Sequence, residues 1–251
     1  MSKVFQGILE YCTMDWCLPI FPISLMDYIN NNQWKQLLAE EFNKPYIKQI
    51  EYKITNHLID LDIIYPPLNL IFHALNVTPL ETTRAVIVAQ DPYPGGQATG
   101  DAFSVHMADP VSRSLDNIFK LFQMIIPGFQ IPNHGCLDPW ASNGVLLLNS
   151  ILTVTAGKPM SHKTYGWQEL TNAIIRIISE KCNGVVFILF GSIAKQKEGL
   201  IDKNKHTIYT FPHPSPRSMS SFLKGPLVPY PIDAPISQIN WTLPIPNPFL
   251  S

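Results

Sequence analysis

Four short apolar runs, separated by stretches of helical spacing, constrain this chain more than any other feature. Residues 85–89, 144–149, 185–190 and 207–211 are rich in Val, Ile, Leu, Ala and Phe. Runs of this length, bounded by turn residues, read as strands buried on both faces. Between them, residues 114–122 and 167–180 carry apolar side chains at helical intervals, the second through Leu170, Ile174, Ile175 and Ile178. Another helix is expected after Gly191 and Ser192. Strands alternating with helices predict one α/β domain with a central, mostly parallel four-stranded sheet and helices on both faces.

Ligands of such sheets bind outside the carboxyl ends of the strands. Gln90 and Asp91 follow the first run, Asn149 closes the second, Gly191 and Ser192 follow the third, and His213 follows the fourth. Each has a plain structural reading on its own: an Asp capping a turn, an Asn satisfying backbone groups, a His stiffening a loop. Together they bring a carboxylate, a carboxamide and an imidazole to one sheet edge. The carboxylate can align water or support a cationic sugar. The carboxamide can read a base edge with one donor and one acceptor. The imidazole can stabilise charge on a leaving base. Tyr93 and Phe103, in the loop after the first run, can wall a flat ring.

The flanks differ in character. Residues 1–33 are read as an irregular N-terminal arm, with Pro19 and Pro22 breaking any helix. From 34 to 50, Leu37, Leu38, Phe42, Tyr46 and Ile47 return at helical spacing, with Pro45 expected to bend or split the segment. Residues 34–223 are taken as the domain. From residue 224 onward seven prolines exclude a long helix, so residues 224–251 are read as an extended tail packed on the domain.

The chain has 251 residues, 46% hydrophobic and 15% charged, enough for one compact core. Its net charge of −1 argues against a general nucleic-acid coat protein, but not against a DNA enzyme with its cations on one face. The four cysteines lack zinc-knuckle spacing and are too sparse for a disulfide scaffold. A reducing, intracellular setting is expected, with no metal, no membrane span and no secretory signal.

The motifs carry a resemblance. Gln90-Asp91-Pro92-Tyr93-Pro94-Gly95 and Gly100-Asp101-Ala102-Phe103-Ser104 are similar to the water-activating loop of family-1 uracil-DNA glycosylases, Gln-Asp-Pro-Tyr-His-Gly followed by Gly-x-x-Phe-Ser. Leu146 to Asn149, Gly191-Ser192, His213-Pro214-Ser215-Pro216, Ser161-His162 before Gly166-Trp167, and Ile239-Asn240-Trp241 match further motifs of that family in order. The stretch from His134 to Trp140 most resembles herpesvirus members.

The resemblance implies cofactor-free hydrolysis of the N-glycosidic bond of uracil flipped from single- or double-stranded DNA, as in base excision repair. It implies that Asp91 orients water and that His213 donates a hydrogen bond toward O2 of the leaving base. It implies that Asn149 pairs with the O4 and N3 edge, that Phe103 stacks on the ring, that Tyr93 excludes a thymine methyl and that Gln90 shapes the pocket through its backbone. Ser114, Ser192 and Ser215, with the Gly191 turn, would grip phosphates. Pro94 stands where the family usually has His, Asp101 where it has Leu, and Arg217 where a Leu commonly wedges into the stack. The implied partners are DNA, a DNA-mimicking inhibitor protein and viral replication proteins, with a monomeric chain in a nucleus, the host's if the chain is viral. The alternative is a replication accessory or processivity partner in which glycosylase activity is secondary.

Overall fold

The computed structural model describes residues 22–218 and 234–243. Its centre is a four-stranded sheet built from β2 (Ala85–Ala89), β3 (Val145–Asn149), β5 (Val186–Phe190) and β6 (Thr207–Phe211), in the order β3-β2-β5-β6. Every pairing is parallel, and Ala89 lies opposite Asn149 at the end of the β2–β3 register. The α/β sheet expected from the four apolar runs is the sheet observed. A second, two-stranded sheet pairs β1 (Ile64–Tyr65) antiparallel with β4 (Val154–Thr155). At two residues each, these strands are too short for an alternating pattern to show in the sequence.

The side-chain period of two divides each strand between two cores. Val86, Val88, Leu146, Leu148, Phe187 and Leu189 face one core with α1 (Pro45–Ile59) and α3 (Trp167–Lys181). Ala85, Ile87, Val145, Leu147, Val186 and Ile188 face the other with α2 (Arg113–Ile125). This is why the runs are apolar throughout rather than alternating. On α2, Leu115, Ile118, Phe119, Phe122 and Ile125 are all buried, and each contributes roughly 1.5–3 kcal/mol. Ser112 caps that helix by accepting from the Leu115 N–H at 3.2 Å.

Pro45 splits the segment rather than bending one helix: a short helix, Ala39–Phe42, ends before it and α1 begins at it. It stands in the first turn of α1, where its missing N–H costs nothing, and α1 runs to Ile59, beyond the expected end at 50. Leu25 and Ile29, in the segment read as an arm, lie in the first core. Ile236, Trp241 and Leu243, in the Pro-rich tail, lie in the second, where the Trp140 indole N–H reaches the Trp241 carbonyl at 2.9 Å. The rest of the expected arm and tail, with the last five residues of the expected domain, lies outside the described residues: 1–21, 219–233 and 244–251. Among those described, no helix is long and apolar enough to cross a membrane.

After β2 the chain goes to β3 on one side, then crosses to β5 on the other. The strand order therefore reverses at the carboxyl end of β2, and a crevice opens there. Gln90 and Asp91 are the first residues beyond that end.

Candidate active site

A cavity of about 180 Å³ fills this crevice. Gln90, Asp91, Tyr93, Phe103, Ser114, Asn149 and His213 all line it, together with Pro94, Asp101 and Pro159. Seven of the expected site residues thus meet in one place, contributed by the ends of β2, β3 and β6 and the start of α2.

Asp91 is held by two donors. The Gln90 side-chain amide donates to Oδ1 at 2.9 Å, and the backbone N–H of Met160 donates to Oδ2 at 2.7 Å. Gln90 therefore acts through its side chain as well as its backbone, whose carbonyl accepts from Ile151 at 3.0 Å. Met160 has φ 62°, an unfavourable region for a residue with a side chain. Its neighbours secure it. Ser161 Oγ accepts from the Thr155 N–H at 2.8 Å. His162 sits between Thr153 at 2.7 Å and Thr155 at 3.0 Å. The Trp167 indole N–H donates to Thr153 Oγ1 at 2.7 Å, tying this cluster to α3. Burial, followed by the nearby His57, pushes His162 down to about 3. The imidazole is thus a neutral structural link, and the Ser-His motif holds the peptide that orients Asp91.

His213 follows β6 on a loop pinned from α2, where the Asn117 side chain donates to the Pro214 carbonyl at 2.8 Å. Gly191, at φ 87°, closes the loop from behind. A Cβ there would lie 3.3 Å from the imidazole Cδ2. The Ser215 N–H donates to His213 Nδ1 at 3.1 Å, which leaves the proton of the neutral ring on Nε2. Burial pushes His213 below the usual histidine range, and the charge of Asp91 opposes this more weakly. His213 is therefore a neutral hydrogen-bond donor at physiological pH.

Asn149, buried at the end of β3, keeps its side-chain Oδ1 without a hydrogen-bond partner. A buried amide oxygen left open beside a cavity is an acceptor awaiting a ligand N–H. Phe103, also at positive φ (65°), is set edge-on against Phe190 with ring centres 5.6 Å apart. The Tyr93 hydroxyl donates to the Phe103 carbonyl at 3.1 Å and pairs with Ser112, the cap of α2. Burial pushes the Tyr93 phenol up to about 12, so this wall is neutral and fixed at both ends.

The remaining expected residues lie further out. Ser215 and Arg217 line an adjoining groove of about 510 Å³ with Gln90, Arg113 and His213. Ser192 is exposed on the first turn of α4 (Gly191–Lys195) and lines neither space. Met160, Asn117 and Arg113 were not singled out from sequence. Asn117 carried a usable signal, as a polar residue on the apolar face of a helix. Met160 carried none, because its contribution is a backbone N–H. Among the described residues, no group of three or more His, Cys, Asp or Glu side chains stands together as a metal site would require.

Comparison with known proteins decides the family. A family model described as the uracil DNA glycosylase superfamily matches residues 75–228. The chain belongs to that superfamily. The uracil-DNA glycosylase of Pseudomonas aeruginosa is 47% identical over 186 residues, 74% of this chain and 80% of that protein. The uracil-DNA glycosylase of Campylobacter lari is 43% identical over 211 residues, 84% of this chain and 89% of that one. Among solved structures, mimivirus uracil-DNA glycosylase superimposes with a TM-score of 0.74 at 30% identity, covering 80% of this chain and 75% of the viral one. A variant of the mimivirus protein has been solved in complex with UGI. The cavity holds a carboxylate, a carboxamide, an imidazole and two aromatic side chains, Asp91, Asn149, His213, Tyr93 and Phe103. Its departures from the family-1 motifs, Pro94 and Asp101, lie in its lining.

Proposed function

We propose that this chain is a family-1 uracil-DNA glycosylase, which flips uracil into the cavity and hydrolyses the C1′–N1 bond without a cofactor, leaving an abasic site. The observation that carries the reading is the convergence on one cavity of Asp91, His213 and Asn149, whose buried amide oxygen has no partner. Asn149 Oδ1 accepts the uracil N3–H, and its amide N–H₂ donates to O4. Phe103 and Tyr93 hold the ring. As the glycosidic bond breaks, the electron pair leaves with the base, and His213 Nε2–H donates to the developing charge on O2. A neutral imidazole suits this role, because a hydrogen bond is enough for a leaving group that is stable as an anion. Asp91, negative and fixed, supports the cationic sugar and takes the proton from the water that forms the new C1′–O bond.

Release of uracil from single- and double-stranded DNA with one uracil per strand tests the reading. Activity is expected on both, and no release from either would overturn it. Tyr93→Ala tests the wall. With the ring removed, space opens for a C5 methyl, and thymine release should rise about tenfold or more above the wild-type background. Thymine release that stays at background would remove Tyr93 from base selection.

Ser114, Ser192, Ser215 and Arg217 are assigned to the DNA backbone and stack. Arg217 is exposed beside the cavity mouth, and a planar guanidinium can lie on bases in the gap left by the flipped nucleotide. Arg217→Ala should cost duplex substrate about 1–3 kcal/mol more than single strands, one stacking contact. Equal losses on both, fully rescued by Arg217→Lys, would make it a phosphate contact instead.

The finer placements belong to the same proposal. The Gln90–Gly95 loop and Leu146–Asn149 support family 1. The stretch from His134 to Trp140 supports a herpesvirus-like lineage, and with it a host nucleus and viral replication partners. The UGI complex of the mimivirus relative supports a DNA-mimicking inhibitor as a partner. A monomer is expected, with an N-terminal arm at 1–33, the domain at 34–223 and a Pro-rich tail at 224–251, the described parts of arm and tail packing on the domain. The burial of Leu25, Ile29, Ile236 and Trp241 supports that packing.

A further inference from the structure

One buried ionisable pair beside the cavity takes no part in the chemistry above. Gly100, at φ 91°, lets two segments touch, since a Cβ there would stand 2.0 Å from the Leu70 carbonyl oxygen and 2.7 Å from His73 Cβ. That approach sets Asp101 against His73, with Oδ2 and Nδ1 3.1 Å apart in a hydrogen bond. The Asp101 side chain is wholly buried and that of His73 is 27% exposed. Asp101 Oδ1 has no partner. Asp101 also lines the cavity that holds Asp91, Asn149 and His213. A half-satisfied carboxylate is a costly occupant of a wall where a Leu would serve for packing alone.

We propose that Asp101 and His73 form a proton-retaining pair that keeps the wall of the base cavity at zero net charge while an anionic base departs. This rests on the reading of the site as a uracil-releasing one. The pair is neutral overall whether the proton lies on His73 or on Asp101. Once the proton is lost, a bare carboxylate stands in the wall, of the same sign as the leaving base and opposing it. The hydrogen bond to Asp101 raises His73 above the usual histidine range, and burial raises Asp101 above the usual carboxylate range. Both directions retain the proton, so the uncompensated charge appears only as pH rises through the raised range of His73. Release should therefore slow on the alkaline side. The other ionisable groups facing the pair are Asp138, which raises both members, and the Cys136 thiol, itself raised by burial. Asp91 and His213 share the cavity. All four are present in every variant below, so their titrations cancel in the comparison.

The test is single-turnover uracil release at saturating protein across the neutral and alkaline range. Wild-type protein should lose rate as pH rises. Asp101→Asn and Asp101→Leu, two independent replacements, should lose much less over the same range. His73→Gln removes the partner that completes the proton-sharing pair and should lower the rate on the order of tenfold wherever Asp101 is charged. Adding Asp101→Asn to His73→Gln should restore it. A merely structural role predicts no such rescue. Alkaline profiles that run parallel in wild type and both Asp101 variants would overturn the proposal, as would a double variant no faster than His73→Gln. Absence of uracil release by the wild type would instead overturn the functional reading beneath it.

Discussion

Asp91→Asn should reduce uracil release by about 10³-fold or more, while binding to uracil-containing DNA stays close to normal. The replacement is nearly isosteric, so the cavity keeps its shape. Two things are lost. One is the negative charge that supports a cationic sugar and accepts the proton of the attacking water. The other is orientation. Asp91 receives hydrogen bonds from the Gln90 amide on one oxygen and the Met160 N–H on the other. A carboxamide can accept on one side only, so one of those donors must face an NH₂ group, and the side chain is pushed off its setting. Single-turnover release together with equilibrium binding separates chemistry from affinity. A variant within about tenfold of wild type would remove Asp91 from the proton transfer. A variant that lost DNA binding in proportion to activity would make it a binding residue.

The parts of the molecule that were legible in the sequence share a physical cause. Three strands of the main sheet, β2, β3 and β5, are buried on both faces and show as apolar runs, whereas the edge strand β6 is only partly buried and carries Thr207 and Thr210. The polar residues at the ends of those runs can point only at the carboxyl edge of a parallel sheet, which is why the sequence alone brings Asp91, Asn149 and His213 together. What was hidden depends on pairings across sequence distance. Met160 reaches Asp91 through its backbone N–H, which no side-chain pattern reports. His73 meets Asp101 only because Gly100 allows the backbone of residue 70 to come close. The extent of α1 was blurred because its outer end carries apolar residues on its exposed side. Tyr52 is 64% exposed and Ile59 42%, so the helical period fades after residue 50. Pro45 was ambiguous for a similar reason, since the same residue that breaks a helix interior also begins one.

The second large effect is one of selectivity. Asn149→Asp should lower the ratio of uracil to cytosine release by about 10⁴-fold, the discrimination that a site built on paired hydrogen bonds can reach. Uracil shows a donor at N3 beside an acceptor at O4, and Asn149, a cavity-lining residue whose buried Oδ1 lacks a partner, matches that edge. Cytosine shows an acceptor at N3 beside an amino donor at C4. An ionised carboxylate at this position repels O4 of uracil and receives the cytosine amino group. A protonated carboxyl fits cytosine at both points, its O–H donating to N3 and its carbonyl accepting from the amino group. Asn149 is only 4% exposed, so burial would favour the neutral acid there. Cytosine release by the variant should consequently increase as pH falls, whereas loss of activity on uracil should be most complete at higher pH, where the carboxylate is charged. The absolute rate on cytosine should remain far below that of the wild type on uracil, because cytosine is the poorer anionic leaving group and His213 is unchanged. Release of each base from otherwise identical single strands, measured at several pH values, checks all three statements. Undiminished uracil release with no cytosine release would mean that Asn149 does not face the base edge.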